Sequence, residues 1–480
     1  MDYYSLSIKI LSALVLGHLG YWILLYFIDK FKLRAFPGPP SIPIIGCLYN
    51  PEALTFLGFI AKSMKKYGNY YQFFGLNRSY LVVCQPDAVR RILSDPKTFS
   101  KGSDYKTRFS SCFGEGLVTS NGDKHKKDRA SFARIFIRSS VALYTTQVNE
   151  ACNALMKEKL SEGTFDFAEF YAILALRVFM KFSINHTYED PEHEKNMAKR
   201  VSSGSTRVGF CVVLGLPIQR YVPYSHEVIE FCDDFARDMA PVIAKRRTEI
   251  KAGTNKIDDC LTVMLEENMS EKEIKDHMIT LICAGHDTTA YFSAFFVYMM
   301  GKHPEIQEKV RKEINTVMGN RSEVTGDDIY NMKYMLLVMK EVLRLYAVIP
   351  CVSRYSEKEV NIKEKNGDRD VVIPKGVDIL IPMFAMNRSA ELWEDPHAFK
   401  PERWEGKGAD FTAAGYGFFP FGFGSRVCIG YTLAYMESSI FMTQLLRSYL
   451  VEEEPGFSPK IAGGISLTTS NGVKARLKKL

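Results

Sequence analysis

Nowhere in its 480 residues does the chain place two cysteines three positions apart. That absence removes the common zinc and thiol–disulfide frameworks, and the lack of Cys-x-x-Cys-His removes covalent attachment of a c-type haem. The ten cysteines are scattered without regular spacing. In a chain this large they read as reduced, mostly buried thiols. Charge of one sign is not in excess either. The 62 basic and 55 acidic residues leave +7, with Lys and Arg spread along the chain. No nucleic-acid face is indicated. The small surplus suits an acidic protein partner, anionic lipid or an ordinary solvated surface. There is no low-complexity linker and no internal repeat. The length allows about three domains, but the chain reads as one large, mostly helical unit behind an N-terminal segment.

Aspartate, glutamate, lysine and arginine are also missing from residues 10–28, where His18 is the one histidine. These nineteen residues, at about 1.5 Å rise each, can cross a hydrocarbon core of about 30 Å. Tyr21, Trp22 and Tyr26 suit a wet interface. Lys30, Lys32 and Arg34 follow, whereas Lys9 alone precedes. Positive-inside bias then places the rest of the chain in the cytosol. A cleaved signal peptide is the rival reading, but no small-x-small site follows and the run is long for one. Phe36-Pro37-Gly38-Pro39-Pro40 breaks any helix. The expected division is an anchor with its basic flank at 1–35 and a catalytic domain at 36–480.

Residues 69–75 and 79–84 read as a β-hairpin. Pro86 to Leu93 reads as a short helix and residues 101–120 as a loop. Helices are expected over about 139–160, 165–183, 271–301 and 326–346. The long one, 271–301, begins after the N-cap candidate Ser270 with Glu271 and Glu273 in its first turn. Residues 352–383 read as strands broken at Asn366-Gly367 and Pro374-Lys375-Gly376. Gly463-Gly464 reads as a turn before a short strand. Val212 to Pro217 is apolar and reads equally as a membrane-dipping loop or as core.

Near the C-terminus stands Phe421-Gly422-Phe423-Gly424-Ser425-Arg426-Val427-Cys428-Ile429-Gly430. One cysteine ends a glycine-rich, nearly uncharged loop, and a helical pattern follows from Tyr431. Gly424 and Gly430 would permit close approach and positive φ. Amide N–H groups of such a loop can hold a thiolate and tune it. Thiolate on haem iron favours O–O cleavage. A buried structural cysteine after a glycine turn is the plainer alternative. Within the long helix lies Ala284-Gly285-His286-Asp287-Thr288-Thr289. Its small residues leave room for a flat ligand. The Thr288 hydroxyl can bond back to the carbonyl one turn earlier and open the helix locally.

The decapeptide resembles the haem-binding signature of the cytochrome P-450 family, Phe-x-x-Gly-x-Arg-x-Cys-x-Gly. Phe421, Gly424, Arg426, Cys428 and Gly430 all match. Ala284 to Thr289 resembles the family's oxygen-activation motif at every position. Glu341 and Arg344, with Arg403 of Pro401-Glu402-Arg403, resemble its Glu-x-x-Arg pair and third arginine. His125 to Arg129 resembles its Trp-x-x-x-Arg segment, with His125 where tryptophan is usual. The proline-rich stretch after residue 35 resembles the hinge of membrane-bound members.

The resemblance implies a mainly α fold with small β-sheets, the haem lying between a long central helix and the cysteine-loop helix. It implies haem b with Cys428 as axial ligand and a mobile-proton pair, Thr288 and Asp287. Arg426, Arg354, His125 and Arg129 would serve the propionates. Glu341 would brace the cysteine loop as scaffold. Ala284 stands where one fatty-acid hydroxylase branch carries a haem-esterifying Glu, which Ala284 cannot replace. The pocket would be lined by Phe109 to Leu117, Ala284, Val348 to Val352 and Ile465 to Leu467. The implied activity is a monooxygenase inserting one atom of O₂ into a lipophilic substrate such as a fatty acid, sterol or xenobiotic. Its electrons would come from NADPH–cytochrome P-450 reductase, with cytochrome b5 as an optional second donor. The implied location is the endoplasmic reticulum membrane, single-pass, with no nucleic-acid partner. A peroxide isomerase or dehydratase of the same family needs no proton relay, so an intact Asp287-Thr288 argues against it. A non-catalytic haem or lipid binder is the remaining alternative.

Overall fold

A computed structural model describes residues 3–76, 78–214, 216–363, 370–407 and 417–480. The expected break at Asn366-Gly367 lies outside the described residues. Among the described residues helices dominate, and four small sheets flank them.

The central helix, Glu271–Lys302, is buried along most of its length. Its start is set by a full capping box: the Ser270 hydroxyl accepts from the Glu273 N–H, and the Glu273 carboxylate accepts from the Ser270 N–H. An almost wholly apolar second half lets other helices pack on every side of it. Helix Phe167–Ile184 lies along it, and the cysteine-loop helix Tyr431–Ser448 crosses it. The Ser293 and Ser438 hydroxyls meet at 3.3 Å where the two helices touch.

The hairpin expected around residue 76 forms as Tyr70–Phe74 and Ser79–Val83 in antiparallel register. It joins a five-stranded sheet with Asp378–Ile381, Val352–Ser356 and Phe99–Lys101. The expected helix over 139–160 is divided into Arg138–Ala142 and Thr145–Lys159, and that over 326–346 into Gly326–Asn331 and Lys333–Leu345. The first break leaves Leu143 and Tyr144 between the helices, and the second leaves Met332. Residues 101–120 are not simply a loop. They contain a π-turn at Tyr105–Phe109 and a short helix at Ser110–Phe113, whose aromatic rings stack in series. Glycine and serine content understated the apolar anchors in this segment. Helix Pro191–Leu214 runs through the first half of the apolar stretch at 212–217, and Val212 lines the interior cavity.

The N-terminal helix spans Tyr3–Lys32. Its part Ser12–Lys32 is long and apolar enough to cross a membrane, and none of it is buried inside the protein. Its last turns are docked on the hairpin rather than free. The Tyr26 hydroxyl donates to the Ser41 carbonyl at 2.8 Å, the Tyr26 ring lies 5.1 Å from Phe74, and Asp29 accepts from Ser79 at 2.6 Å. Tyr26 therefore packs against protein.

Candidate functional site

A cavity of about 400 Å³ separates the central helix from the cysteine loop. Cys428, Phe421, Arg426 and Gly430 line it on one side, and Ala284, Asp287 and Thr288 on the other. Most of the remaining wall is apolar.

The loop that presents Cys428 is shaped by its backbone. The Cys428 N–H donates to the Phe421 carbonyl at 2.8 Å, and Val427 N–H to Gly424 at 3.0 Å. Gly424 has φ +73°, and a Cβ there would stand 2.7 Å from the Leu93 carbonyl, so glycine is required on both counts. Gly430 differs from expectation. Its φ is −90° and a Cβ would meet only Phe136 at an ordinary 3.8 Å. What Gly430 contributes is its N–H, directed at the Cys428 sulfur. All ten cysteines are free, and Cys428 alone is exposed, its side chain opening onto the cavity rather than bulk solvent. Burial within the fold pushes its thiol up from the ordinary value; the Gly430 N–H and Arg129 pull the other way. A metal binding the thiolate would displace that proton.

Opposite, the Thr288 hydroxyl donates to the Ala284 carbonyl at 2.7 Å, as expected. The helix remains α-helical throughout, so the expected local opening is not present. Ala284 faces the open cavity. Gly285 does not serve the cavity in the way its size suggested, because a Cβ there would overlap the Phe179 ring of the neighbouring helix. Asp287 is buried and accepts from Ser202 at 2.9 Å and from Ser466. Burial raises its carboxyl above the ordinary value, and the serine hydroxyls oppose that rise.

At one edge of the cavity three cations converge: Lys101, Arg354 and Arg426. Arg426 donates to the Ser120 carbonyl at 2.9 Å and to Asn121 at 3.0 Å, and Arg354 to the Ser353 carbonyl at 2.9 Å. Among the described residues none of the three pairs with a carboxylate. Burial first, then mutual repulsion, depresses Lys101 far below the lysine range and brings Arg426 down to about 10. Helix Gly122–Phe136 carries His125 and Arg129 one turn apart, set behind this cluster rather than on the cavity wall. His125 is brought down to about 4 by burial and by Arg426, Lys101 and Arg129. Burial lowers Arg129, and the Cys428 sulfur opposes that shift.

Lys101 was not legible as a site residue. A lone lysine on a three-residue strand has no local signature, and only pairing with Val352–Ser356 brings it to Arg354. Glu437 was missed for a similar reason. It lines the cavity beside Thr289 with neither carboxylate oxygen hydrogen-bonded, and burial pushes it well above the carboxylate range. On a helix pattern it resembles any solvent-facing glutamate. The expected wall segments are present through Phe109, Val348, Cys351, Val352 and Ile465, whereas Leu117 and Leu467 lie outside the lining. Helices Pro191–Leu214 and Pro223–Lys251 add Val208, Val212, Phe231 and Cys232, which no motif marked.

The brace is complete. Glu341 accepts from Arg344 at 2.8 and 2.9 Å, from Arg403 at 2.9 Å, from Trp404 at 3.0 Å and from the Lys400 N–H at 3.0 Å. The Trp404 and Phe418 rings meet at 4.5 Å in a tilted pair, which carries the brace to the start of the cysteine loop.

A haem fits these residues. A thiol supported by an amide donor faces the cavity on one side, small residues face it on the other, and cations without a carboxylate partner, Arg354 buried and Lys101 and Arg426 half-buried, stand where two carboxylates would neutralise them.

Comparison with known proteins gives the same answer. The Cytochrome P450 family model matches residues 36–473. The chain is 28% identical over 437 residues to cyclooctat-9-en-7-ol 5-monooxygenase of Streptomyces melanosporofaciens, covering 87% of this chain and 90% of that protein. It is 26% identical over 470 residues to cytochrome P450 3A17 of Cavia porcellus, covering 93% and 91%. With cytochrome P450 4F2 of Homo sapiens it shares 25% identity over 505 residues, covering 98% and 95%. A thiol loop, a hydroxyl-bearing central helix and a match over nearly the whole chain converge on one conclusion: the chain belongs to the cytochrome P450 family of haem-dependent monooxygenases.

Proposed function

We propose that the protein inserts one oxygen atom of O₂ into a neutral lipophilic substrate, using electrons from NADPH–cytochrome P450 reductase, with cytochrome b5 as an optional second donor. The observation that carries this reading is Cys428, supported by the Gly430 amide and facing Thr288 across an apolar cavity. Haem b, when bound there, supplies the redox chemistry that activates dioxygen. Cys428 would hold it, and Phe421 and Gly424 shape the loop that presents the sulfur. Lys101, Arg354 and Arg426 would neutralise its carboxylates, with His125 and Arg129 behind them. Ala284 leaves the cavity open opposite Cys428. Thr288 would position a proton donor there, and Asp287 would feed it.

The wall supports a neutral substrate. Glu437 is held well above the carboxylate range by burial, and the other charged side chains are engaged: the three cations at the propionate edge, Asp104 with Arg108, and Asp287 with serines. An anionic head group would find no partner in the distal half and would be desolvated at a cost. A sterol or other weakly polar lipid is therefore favoured over a fatty-acid carboxylate.

The N-terminal helix supports a single-pass anchor at residues 1–35, with the catalytic domain 36–480 on the cytosolic face of the endoplasmic reticulum. Lys30, Lys32 and Arg34 flank its C-terminal end.

The test is a ferrous–carbon monoxide spectrum joined to a ligand screen. The protein should give the red-shifted band of thiolate ligation, and Cys428→His should abolish it together with NADPH-dependent turnover. Neutral sterols should shift the ferric haem spectrum more readily than fatty-acid anions of similar size. A native fold that purifies without haem would overturn the reading.

A further inference from the structure

The proposed proton-donor role of Asp287 leaves open how a buried carboxylate is refilled, and three hydroxyls meet it. Ser202 donates to Oδ1 at 2.9 Å and Ser466 donates to Oδ2. Ser205 and Ser466 lie 3.2 Å apart. Ser202 and Ser205 stand one turn apart on helix Pro191–Leu214, while Ser466 lies between strands Ile461–Gly463 and Leu467–Thr469. Two elements distant in sequence therefore converge on one carboxylate. Their approach is fixed by backbone contact: a Cβ on Gly209 would overlap Gly464, and the Ile465 N–H donates to the Ser205 carbonyl at 3.2 Å.

Among the described residues no cation and no second carboxylate faces Asp287. The titratable groups that feel its charge, Tyr291 and Cys283, are on its own helix, and the other packed elements present only the serines. A cation would hold the carboxylate ionised but could not pass a proton through at neutral pH. A serine hydroxyl both donates and accepts. Ser466 and Ser205 are buried, whereas Ser202 is half-buried, so the cluster runs from the protein exterior to the cavity wall.

We propose that Ser202 and Ser466, which meet at the Asp287 carboxylate, are positioning residues that set its proton occupancy, and that Ser202 refills it from solvent. This rests on the assignment of Asp287 as proton donor. In each cycle Asp287 releases a proton toward Thr288 through cavity water. The carboxylate then takes the Ser202 proton, and the Ser202 oxygen takes one from external water. One proton enters, one leaves, and nothing is oxidised or reduced in the relay.

The first readout is the infrared C=O stretch of the Asp287 carboxylic acid in the ferric protein, assigned by its loss in Asp287→Asn and followed against pH. Removing a hydroxyl that donates to the carboxylate favours the acid form. Ser202→Ala and Ser466→Ala should each move the midpoint upward, by on the order of one pH unit. Ser202→Thr keeps a hydroxyl at the half-buried position and should restore the wild-type midpoint. The second readout is hydrogen peroxide released per NADPH, with reductase and no organic substrate. Slower proton delivery should raise it in both alanine variants. The carbon monoxide band confirms haem occupancy in each. An unchanged midpoint, or a shifted midpoint with unchanged peroxide yield, would overturn the relay. If Asp287→Asn itself leaves the peroxide yield unchanged, the proton-donor assignment fails instead.

Discussion

Lys101 sits directly across from Arg354 in the antiparallel pairing of Phe99–Lys101 with Val352–Ser356. Like charges directly opposite on neighbouring strands repel, and Arg426 adds a third cation. The arrangement costs stability unless an anion lies between them. Replacing Lys101 with Gln should therefore act in opposite directions on the two forms. Haem-free protein should unfold at a higher temperature. Haem should leave the ferric holoprotein faster, by about tenfold, or ~1.4 kcal/mol. Calorimetry of the apoprotein and haem transfer to apomyoglobin measure the two. A parallel loss in both would mean that Lys101 only packs on Tyr105, whose ring it covers at 4.3 Å.

The Thr288 hydroxyl is tied to Ala284 at 2.7 Å and must turn from that carbonyl to reach anything in the cavity. Thr288→Ala removes the hydroxyl while leaving the apolar wall. NADPH and O₂ consumption should stay within about tenfold, ~1.4 kcal/mol in barrier. Product per NADPH should fall sharply and hydrogen peroxide should rise. Intact coupling would refute the assigned relay without touching the role of Cys428.

Glu341 is completely buried among Arg344, Arg403 and Trp404. Glu341→Ala leaves Arg344 uncompensated in the core, a change expected to cost about 3–5 kcal/mol. Urea unfolding of the haem-bound protein should show that loss. Haem incorporation should fall with it, because Trp404 and Phe418 would no longer hold the approach to the cysteine loop. Wild-type haem content at wild-type stability would contradict the brace.

His286 is fully buried near the backbone of Ala172, and burial brings its imidazole down to about 4 from an ordinary 6.5. The unfolded chain therefore binds a proton that the folded chain resists over that window. Stability contributed by this position is intact above pH 6.5 and falls as pH drops toward about 4. His286→Leu should flatten the acid side of the melting-temperature profile between those values. His125 titrates in the same direction in the haem-free protein, so the double variant should be flatter still. A profile unchanged by His286→Leu would show that other groups govern acid unfolding.

Local chemistry carried much of this protein in its sequence. The cysteine loop, the Ala284–Thr289 segment, the Glu341 brace and the hairpin at 70–83 each depend on neighbours in the chain or on residue types with few alternative uses. The capping box at Ser270 is readable because both its partners lie within three residues. Apolar length alone marked the N-terminal helix, though not the docking of Tyr26 and Asp29 on the hairpin.

Tertiary structure alone decided the rest. Whether Gly285 serves a ligand or a neighbouring ring depends on Phe179, more than a hundred residues away. Gly430 proved to matter through its N–H, a group every non-proline residue carries and no sequence distinguishes. Lys101 joined the cation cluster because two strands far apart in sequence pair in one register, and a shift by one residue would have turned it to the other face. Ser202, Ser205 and Ser466 are unremarkable letters until a helix and a C-terminal turn close on Asp287. Motifs record what a residue can do chemically. Long-range packing fixes which residues share a cavity, because that choice is made by contacts whose partners no local window contains.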